Sequence, residues 1–281
     1  MKNIIDAIIN LVTDPKVELV RHYSYVNRAN NMGDALEEYI KDLFAGTVDE
    51  TDENIRNSKL SDVFSYMGNA TNPPDSMLKN GGDAIEVKKL QGINDLALNS
   101  SHPKRTLKID NPKINSHCRD CEKWSERDML YVIGVCDTKK IKQLCMVYGT
   151  EYCADIETYT RIENVVKEGL QSIENVELAQ TNELGRLNKV DPLGITNMRI
   201  RGMWTIMNPL KVFNYVYMPN SSKTFNFMCL INSEKYATLS NIKNLEGFTN
   251  EIPDLNIKDV KVKNPNNPAQ LIECKLITFA I

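Results

Sequence analysis

Asn72-Pro73-Pro74-Asp75-Ser76-Met77-Leu78-Lys79-Asn80-Gly81-Gly82-Asp83-Ala84-Ile85-Glu86-Val87-Lys88-Lys89 is the stretch whose reading decides the fold. Its middle, Asn80-Gly81-Gly82, is turn chemistry. The segment after it alternates apolar and charged residues with the period of two that a strand imposes. The stretch therefore predicts a β-hairpin, in which Asp75 opens one short strand and Asp83 to Lys89 form the return strand. Ile85 and Val87 then point to one side of the sheet and Glu86 and Lys88 to the other. With Gly81-Gly82 as a two-residue loop, Asn80 pairs with Asp83, Asp75 falls opposite Lys88, and Asp75, Glu86 and Lys88 share a face. A three-residue loop breaks that arrangement unless a bulge restores it.

Pro74-Asp75 followed by Glu86-Val87-Lys88 fits the pattern PD-(D/E)xK. A pattern this short also describes a surface hairpin with solvated charges. Its chemistry is nonetheless coherent. Hard oxygen ligands from Asp75 and Glu86, with the Val87 carbonyl, suit Mg2+, an ion that keeps several of its waters. Such an ion stabilises negative charge developing on a phosphodiester and acidifies water. Lys88 can orient or help deprotonate the water, or stabilise the transition state, and the residues leave these roles open. Glu37 or Glu38, on a preceding helix, can add a carboxylate. Glu37 is favoured because it lies beside the apolar stripe of Leu36 and Ile40, whereas Glu38 is expected to face solvent.

Outside the hairpin the bulk properties set limits. The chain has 281 residues, 42% hydrophobic and 25% charged, which is the balance of a soluble globular protein of one large or two modest domains. No apolar run approaches the roughly 20 residues that span a bilayer. Met1 to Val12 is apolar but interrupted by Asp6, and reads as an amphipathic helix rather than a signal peptide. A net charge of −3 argues only weakly against a polyanionic partner, since nucleic-acid binding needs a local basic surface. Seven cysteines scattered through apolar stretches favour reduced thiols in a cytoplasmic protein. His117-Cys118-x-x-Cys121 lacks a second Cys-x-x-Cys pair to complete a zinc site, so buried thiols are the preferred reading.

Along the chain, Pro15 to Asn31 reads as a connection containing Asn27-Arg28-Ala29-Asn30-Asn31. Gly33 to Phe44 reads as a helix closed by Gly46, and an acidic loop then leads to a strand over Asp62 to Met67. Gly92 to Ser116 is polar and irregular and carries Asn99-Ser100-Ser101-His102-Pro103-Lys104-Arg105, which looks like a functional loop. A short helix near Cys118 to Glu126 precedes Met129 to Val135, a continuous apolar run expected as a central buried strand with Gln143 to Tyr148 as its neighbour. Asp155 to Ile173 is an amphipathic helix with Ile162, Val165, Val166 and Leu170 on one side. Met198 to Met207, Val212 to Tyr217, Phe225 to Ile231 and Leu271 to Phe279 are strand-like, with a turn at Asn264 to Pro268. The simplest architecture is a single α/β unit with a catalytic core near residues 28–150 and a largely β extension at about 180–281.

Several longer strings point to a family. Asn27-Arg28-Ala29-Asn30, Gly33-Asp34-Ala35-Leu36-Glu37-Glu38-Tyr39, Asn72-Pro73-Pro74-Asp75 and Gly82-Asp83-Ala84-Ile85-Glu86-Val87-Lys88-Lys89 resemble the NgoPII family of type II restriction endonucleases. So do Leu98-Asn99-Ser100-Ser101-His102-Pro103-Lys104 and Asp191-Pro192-Leu193-Gly194-Ile195-Thr196, and the similarity runs from Asn3 to about Phe213. The resemblance implies a restriction-endonuclease-like fold, in which a central mixed β-sheet is flanked by helices, and Mg2+-dependent cleavage of double-stranded DNA. It also implies recognition of the palindrome GGCC and a partner methyltransferase that protects host DNA.

Guanine is read best by arginine, bidentate to O6 and N7. Arg199 and Arg201 alternate onto one face, with Arg186 and Lys189 just upstream, and form the candidate cluster for base or phosphate contacts. Asn27, Arg28, Ser100, His102 and Lys104 are candidate phosphate or groove contacts near the metal. Symmetric cutting of a palindrome is easiest for two identical sites related by a two-fold axis, hence a homodimer. The same metal site would also serve a structure-specific nuclease of repair or recombination, and the same fold an inactive DNA-binding protein.

Overall fold

The computed structural model describes residues 2–25, 31–69, 72–138 and 140–281. Helices α1 (Ile4–Thr13), α2 (Leu19–Tyr25), α3 (Met32–Ala45) and α4 (Glu53–Val63) precede strands β1 (Phe64–Tyr66), β2 (Ser76–Leu78) and β3 (Ala84–Leu90). Two short strands, β4 (Leu96–Asn99) and β5 (Thr106–Lys108), and helix α5 (Ser116–Asp120) lead to the long central strand β6 (Glu126–Cys136) and its neighbour β7 (Ile141–Tyr148). Helices α6 (Gly149–Tyr152) and α7 (Ile156–Gln171) follow, then β8 (Glu177–Leu178), β9 (Gly185–Asn188), β10 (Met198–Ile200), β11 (Trp204–Ile206) and α8 (Pro209–Val212). The chain ends with β12 (Asn226–Asn232), α9 (Ser233–Thr238), α10 (Ile242–Phe248), β13 (Asn256–Asn264) and β14 (Asn267–Ala280).

The main sheet runs β1-β2-β3-β6-β7-β12-β14-β13, with β5 paired to the start of β6. It is mixed: β3 lies parallel to β6, β6 antiparallel to β7, and β7 parallel to β12. The expected central strand is β6, whose continuous apolar run is buried on both faces. One face packs under α1 and α3, with Ile85, Val87, Leu130, Val132 and Met146 beneath Leu36, Tyr39, Ile40 and Phe44. Each such fully buried aliphatic side chain contributes about 1.5–3 kcal/mol. The opposite face carries the alternate residues of the same strands, Ala84, Met129, Tyr131, Ile133 and Val147. Glu86 and Lys88 belong to this second face, in register with Tyr131 and Ile133.

The hairpin forms with one change of register. Asn80 (φ 58°) and Gly81 (φ 87°) are the two left-handed positions of its turn, closed by the Gly82 N–H donating to the Lys79 carbonyl at 3.2 Å. This is the pattern an Asn-Gly pair favours, because both central residues need positive φ. The loop is therefore Asn80-Gly81 and not Gly81-Gly82. Ser76 pairs with Ile85 and Met77 with Ala84, which puts Asp75 opposite Glu86 rather than Lys88. The partner moves by two residues, so the face does not change.

Other expectations are corrected as well. The segment read as a connection holds α2, which buries Leu19 and Tyr23 one turn apart and whose Tyr23 hydroxyl donates to Asp42 at 2.9 Å. Residues 53–63 form α4 and not a loop. Its N-cap Asp52 accepts from the Asn54 and Ile55 N–H groups, and only Arg56, Leu60 and Val63 turn inward. Val212 to Tyr217 is α8 and turns instead of a strand, since Asn208 caps and Pro209 starts a helix. Helix α7 exists, yet none of its residues is buried: Ile162 and Val165 are 47% and 64% exposed. Of the expected β extension, residues 185–206 leave the main sheet for two small sheets, while β12, β14 and β13 extend it. Among the described residues no helix is long and apolar enough to cross a membrane.

Candidate active site

Asp75 sits just before β2, with its N–H bonded to the Ile85 carbonyl at 3.0 Å. Its Oδ2 accepts the Val87 N–H at 2.6 Å, so the side chain reaches across to the middle of β3. Gly68, at φ +81°, lets the backbone pass close by: a Cβ there would lie 2.3 Å from the Asp75 carbonyl oxygen. On the same face the Lys88 Nζ donates to Glu86 Oε1 at 2.6 Å, whereas Glu86 Oε2 is buried without a hydrogen-bond partner. The expected sharing of a face by Asp75, Glu86 and Lys88 is present in the structure, through the altered register.

These charges perturb one another. Burial and the neighbouring Glu86 carboxylate push the Asp75 carboxyl up to about 7, against the Lys88 ammonium and the Val87 N–H. Burial works against the Lys88 charge, but Glu86 and Asp75 outweigh it and hold its pKa above the usual lysine value. Two carboxylates in a partly dry pocket, one with an orphan oxygen, form an incomplete donor set of hard oxygens. A divalent cation fits it.

Asp75, Glu86, Lys88, Ser100, His102 and Lys104 line one cavity of about 390 Å³. The polar loop thus meets the hairpin, as its composition suggested. Within it, the His102 ring stacks on Tyr159 with centroids 5.3 Å apart, and its Nδ1 lies 2.9 Å from the Pro103 carbonyl. Burial holds the pKa of His102 below the usual value. Burial likewise lowers the Lys104 ammonium to about 8, with Glu86 pulling the other way.

Of the helix glutamates, Glu38 is half-buried and engaged by Arg56 at 2.5 Å and Lys41 at 3.1 Å, contrary to the expectation that it faces solvent. Arg56 came from a segment read as loop, which is why the pair was not foreseen. Glu37 is the exposed one. Its carboxyl is raised by local desolvation and feels both Lys41 and Lys88.

The arginine cluster lies on the small β8–β9–β10 sheet. Arg186 and Arg199 are cross-strand partners. Arg199 donates Nε and Nη2 to the two carboxylate oxygens of Glu183 at 2.9 and 2.7 Å, and Arg201 donates Nε to Glu183 Oε1 at 2.5 Å. Both arginine side chains stay more than half exposed. Lys189 pairs instead with Glu177 at 2.7 Å. Asn27 and Arg28 lie outside the described residues.

Sequence reasoning passed over Glu183, Lys113 and Tyr131, all of which line the cavity. Glu183 is 16 and 18 residues from its arginines, and no local spacing links them. Tyr131 read as one more apolar residue of a core strand, and only the β3–β6 register sets it beside Glu86. Cys118 is buried against Met77, and among the described residues no three His, Cys, Asp or Glu side chains cluster as a metal site.

Against known proteins, the family model for the NgoPII restriction endonuclease matches residues 2–263. The type II restriction enzyme NgoPII of Neisseria gonorrhoeae is 52% identical over 281 residues, covering 99% of each chain. No solved structure matches.

Proposed function

Since the chain belongs to the NgoPII restriction endonuclease family and is a type II site-specific deoxyribonuclease, we propose that it hydrolyses both strands of double-stranded DNA at GGCC, using Mg2+ at the Asp75–Glu86–Lys88 site. The observation that carries the site assignment is the shared face of these three residues, with Glu86 Oε2 buried and unpartnered at the cavity. The mixed sheet with helices against it is consistent with a restriction-endonuclease-like fold, as one domain whose core near 28–150 carries the chemistry and whose part from about 180 reads DNA.

Asp75, Glu86 and the Val87 carbonyl would hold the ion, and Glu37 would add a carboxylate from α3. When bound, Mg2+ supplies positive charge against phosphate oxygens and lowers the pKa of water. Lys88, fixed by Glu86, is an ammonium donor that orients the attacking water or the phosphate. Ser100, His102 and Lys104 contact the DNA backbone beside the site. Arg186, Lys189, Arg199 and Arg201, with Asn27 and Arg28, make base or phosphate contacts. In Arg199, Glu183 occupies the Nε–Nη2 edge and leaves the outer edge available for guanine O6 and N7. Two copies related by a two-fold axis would cut the two strands, in the cytoplasm, alongside a methyltransferase that modifies the same sequence.

The test is digestion of plasmid DNA with Mg2+ and sequencing of the ends. Discrete fragments ending within GGCC are expected. Ends set by junctions or flaps, or no cleavage with any divalent metal, would sink the proposal.

A further inference from the structure

Lys104 is 7% exposed and lines the same cavity as Asp75, Glu86 and Lys88. Buried ammonium groups are ordinarily paired with an acid. Even the half-buried Lys88 is paired, with Glu86, and the half-buried Lys235 with Asp83 and Asp128. Lys104 is not. Among the described residues it has no ion pair, and its only side-chain hydrogen bond is a long one of 3.4 Å to the His102 carbonyl.

Its position is nevertheless fixed. The Tyr131 hydroxyl accepts from the Lys104 N–H at 2.8 Å and donates to the Lys104 carbonyl at 3.2 Å, clamping that one residue from both ends of its backbone. Tyr131 is itself the register partner of Glu86. On the other side Gly149 lies so close that a Cβ there would be 2.3 Å from the Lys104 carbonyl oxygen and 2.6 Å from that of Arg105. A lysine clamped to the strand beside a catalytic acid, dry and without a counter-charge, is built to meet an anion supplied from outside.

Resting on the nuclease reading above, we propose that Lys104 is a second catalytic lysine, whose ammonium contacts a non-bridging oxygen of the scissile phosphodiester. In the reaction the water oxygen gives up one proton to solvent and forms a new bond to phosphorus, the bond to the departing sugar oxygen breaks, and that oxygen takes a proton from solvent as it leaves. Lys104 neither gains nor loses a proton. It balances the charge that grows on the phosphoryl oxygen, while Lys88 stays tied to Glu86.

The experiment compares wild type with Lys104→Met and Lys104→Gln on a duplex containing the mapped cut site. It reads single-turnover cleavage in Mg2+, equilibrium binding in Ca2+, and thermal unfolding. Loss of one donor to the transition state predicts a rate lower by about 10²- to 10³-fold at saturating DNA. Affinity should stay within about fivefold and Tm at or above wild type, because removing an unpaired buried charge does not harm the fold. Replacing one non-bridging oxygen of the scissile phosphate by sulfur should slow wild type for one stereoisomer, and that penalty should shrink in Lys104→Gln. A rate within threefold of wild type overturns the inference. So does a loss that saturating DNA restores, or a lowered Tm in both variants with an unchanged sulfur penalty. A wild type that cleaves no DNA would instead overturn the nuclease reading itself.

Discussion

On the open face of β3, Asp75, Glu86, Lys88 and Lys104 share a cavity, and at the β9–β10 ribbon the exposed Arg199 and Arg201 hold Glu183 between them, with Arg186 across from Arg199. Both regions concentrate charge, and the physics differs. In the cavity, desolvation sets the direction of the shift at Asp75, raised, and at Lys104, lowered, whereas at Lys88 the Glu86 and Asp75 carboxylates together override it. On the ribbon, the largest influence on Glu183 is its hydrogen bond with Arg199, which lowers its pKa, and the two arginines that hold it stay more than half exposed. Exposed ion pairs of this kind are weak and exchange partners readily. The difference suits the proposed division of labour, because a reacting site must be preorganised, whereas a reading surface must keep donors open to solvent, as Arg199 does on the edge that Glu183 leaves free.

The largest effects are expected in the cavity. Glu86→Ala and Asp75→Asn should each reduce cleavage by more than about 10³-fold with DNA binding retained, and Tm should be unchanged or raised in Asp75→Asn, which leaves the Lys88–Glu86 pair in place. Full activity in Asp75→Asn would break the comparison at its root. On the ribbon, Arg199→Ala and Arg201→Ala should weaken cognate binding by on the order of 10- to 100-fold and erode discrimination against altered sites. Their Tm should move by only about 1 °C. A large loss of Tm would mean that the ribbon's ion pairs are structural.

Metal gives a smaller and independent readout. Mg2+ should raise the Tm of wild type by a few degrees through binding to the native state alone, an increment of roughly 1–3 kcal/mol, and should leave Asp75→Asn unmoved. Equal shifts in both would show that the ion binds elsewhere. Burial should also govern acids away from the site. Glu151, 2% exposed, is pushed by burial from its ordinary 4.5 up to about 7. A carboxyl raised in the folded state destabilises fully above pH 7 and not at all below about 4.5. Glu151→Gln should therefore raise Tm by a few degrees at pH 8, with the gain fading as pH falls through that window. A gain independent of pH would point to repacking instead.

Much of the site was legible because strand alternation is strict. Glu86 and Lys88 could be assigned to one face and Ile85 and Val87 to the helix side from spacing alone, and the core residues agree. Sequence places the turn within Asn80-Gly81-Gly82 but does not choose its two central residues, because Asn80-Gly81 and Gly81-Gly82 both satisfy a two-residue loop and only backbone geometry separates them. Helices α2 and α4 were hidden for another reason. They are short or polar, and what holds them is tertiary, as in the pairs Tyr23–Asp42 and Arg56–Asp42. The arginine alternation at Arg199 and Arg201 was visible, but not their carboxylate partner. Glu183 is brought to them by the folding of the 182–201 segment rather than by any helical or strand period.

The turn at Asn80-Gly81 has a consequence for how such proteins can change over generations. Because Asp75 belongs to the active face only by the parity of its pairing with Glu86, the loop can lengthen or shorten by two residues and keep the acids together. A single-residue insertion or deletion would turn Asp75 toward α3 and present Ser76 to Glu86, unless a bulge absorbed it. Functional relatives should therefore differ in the length of this loop in steps of two.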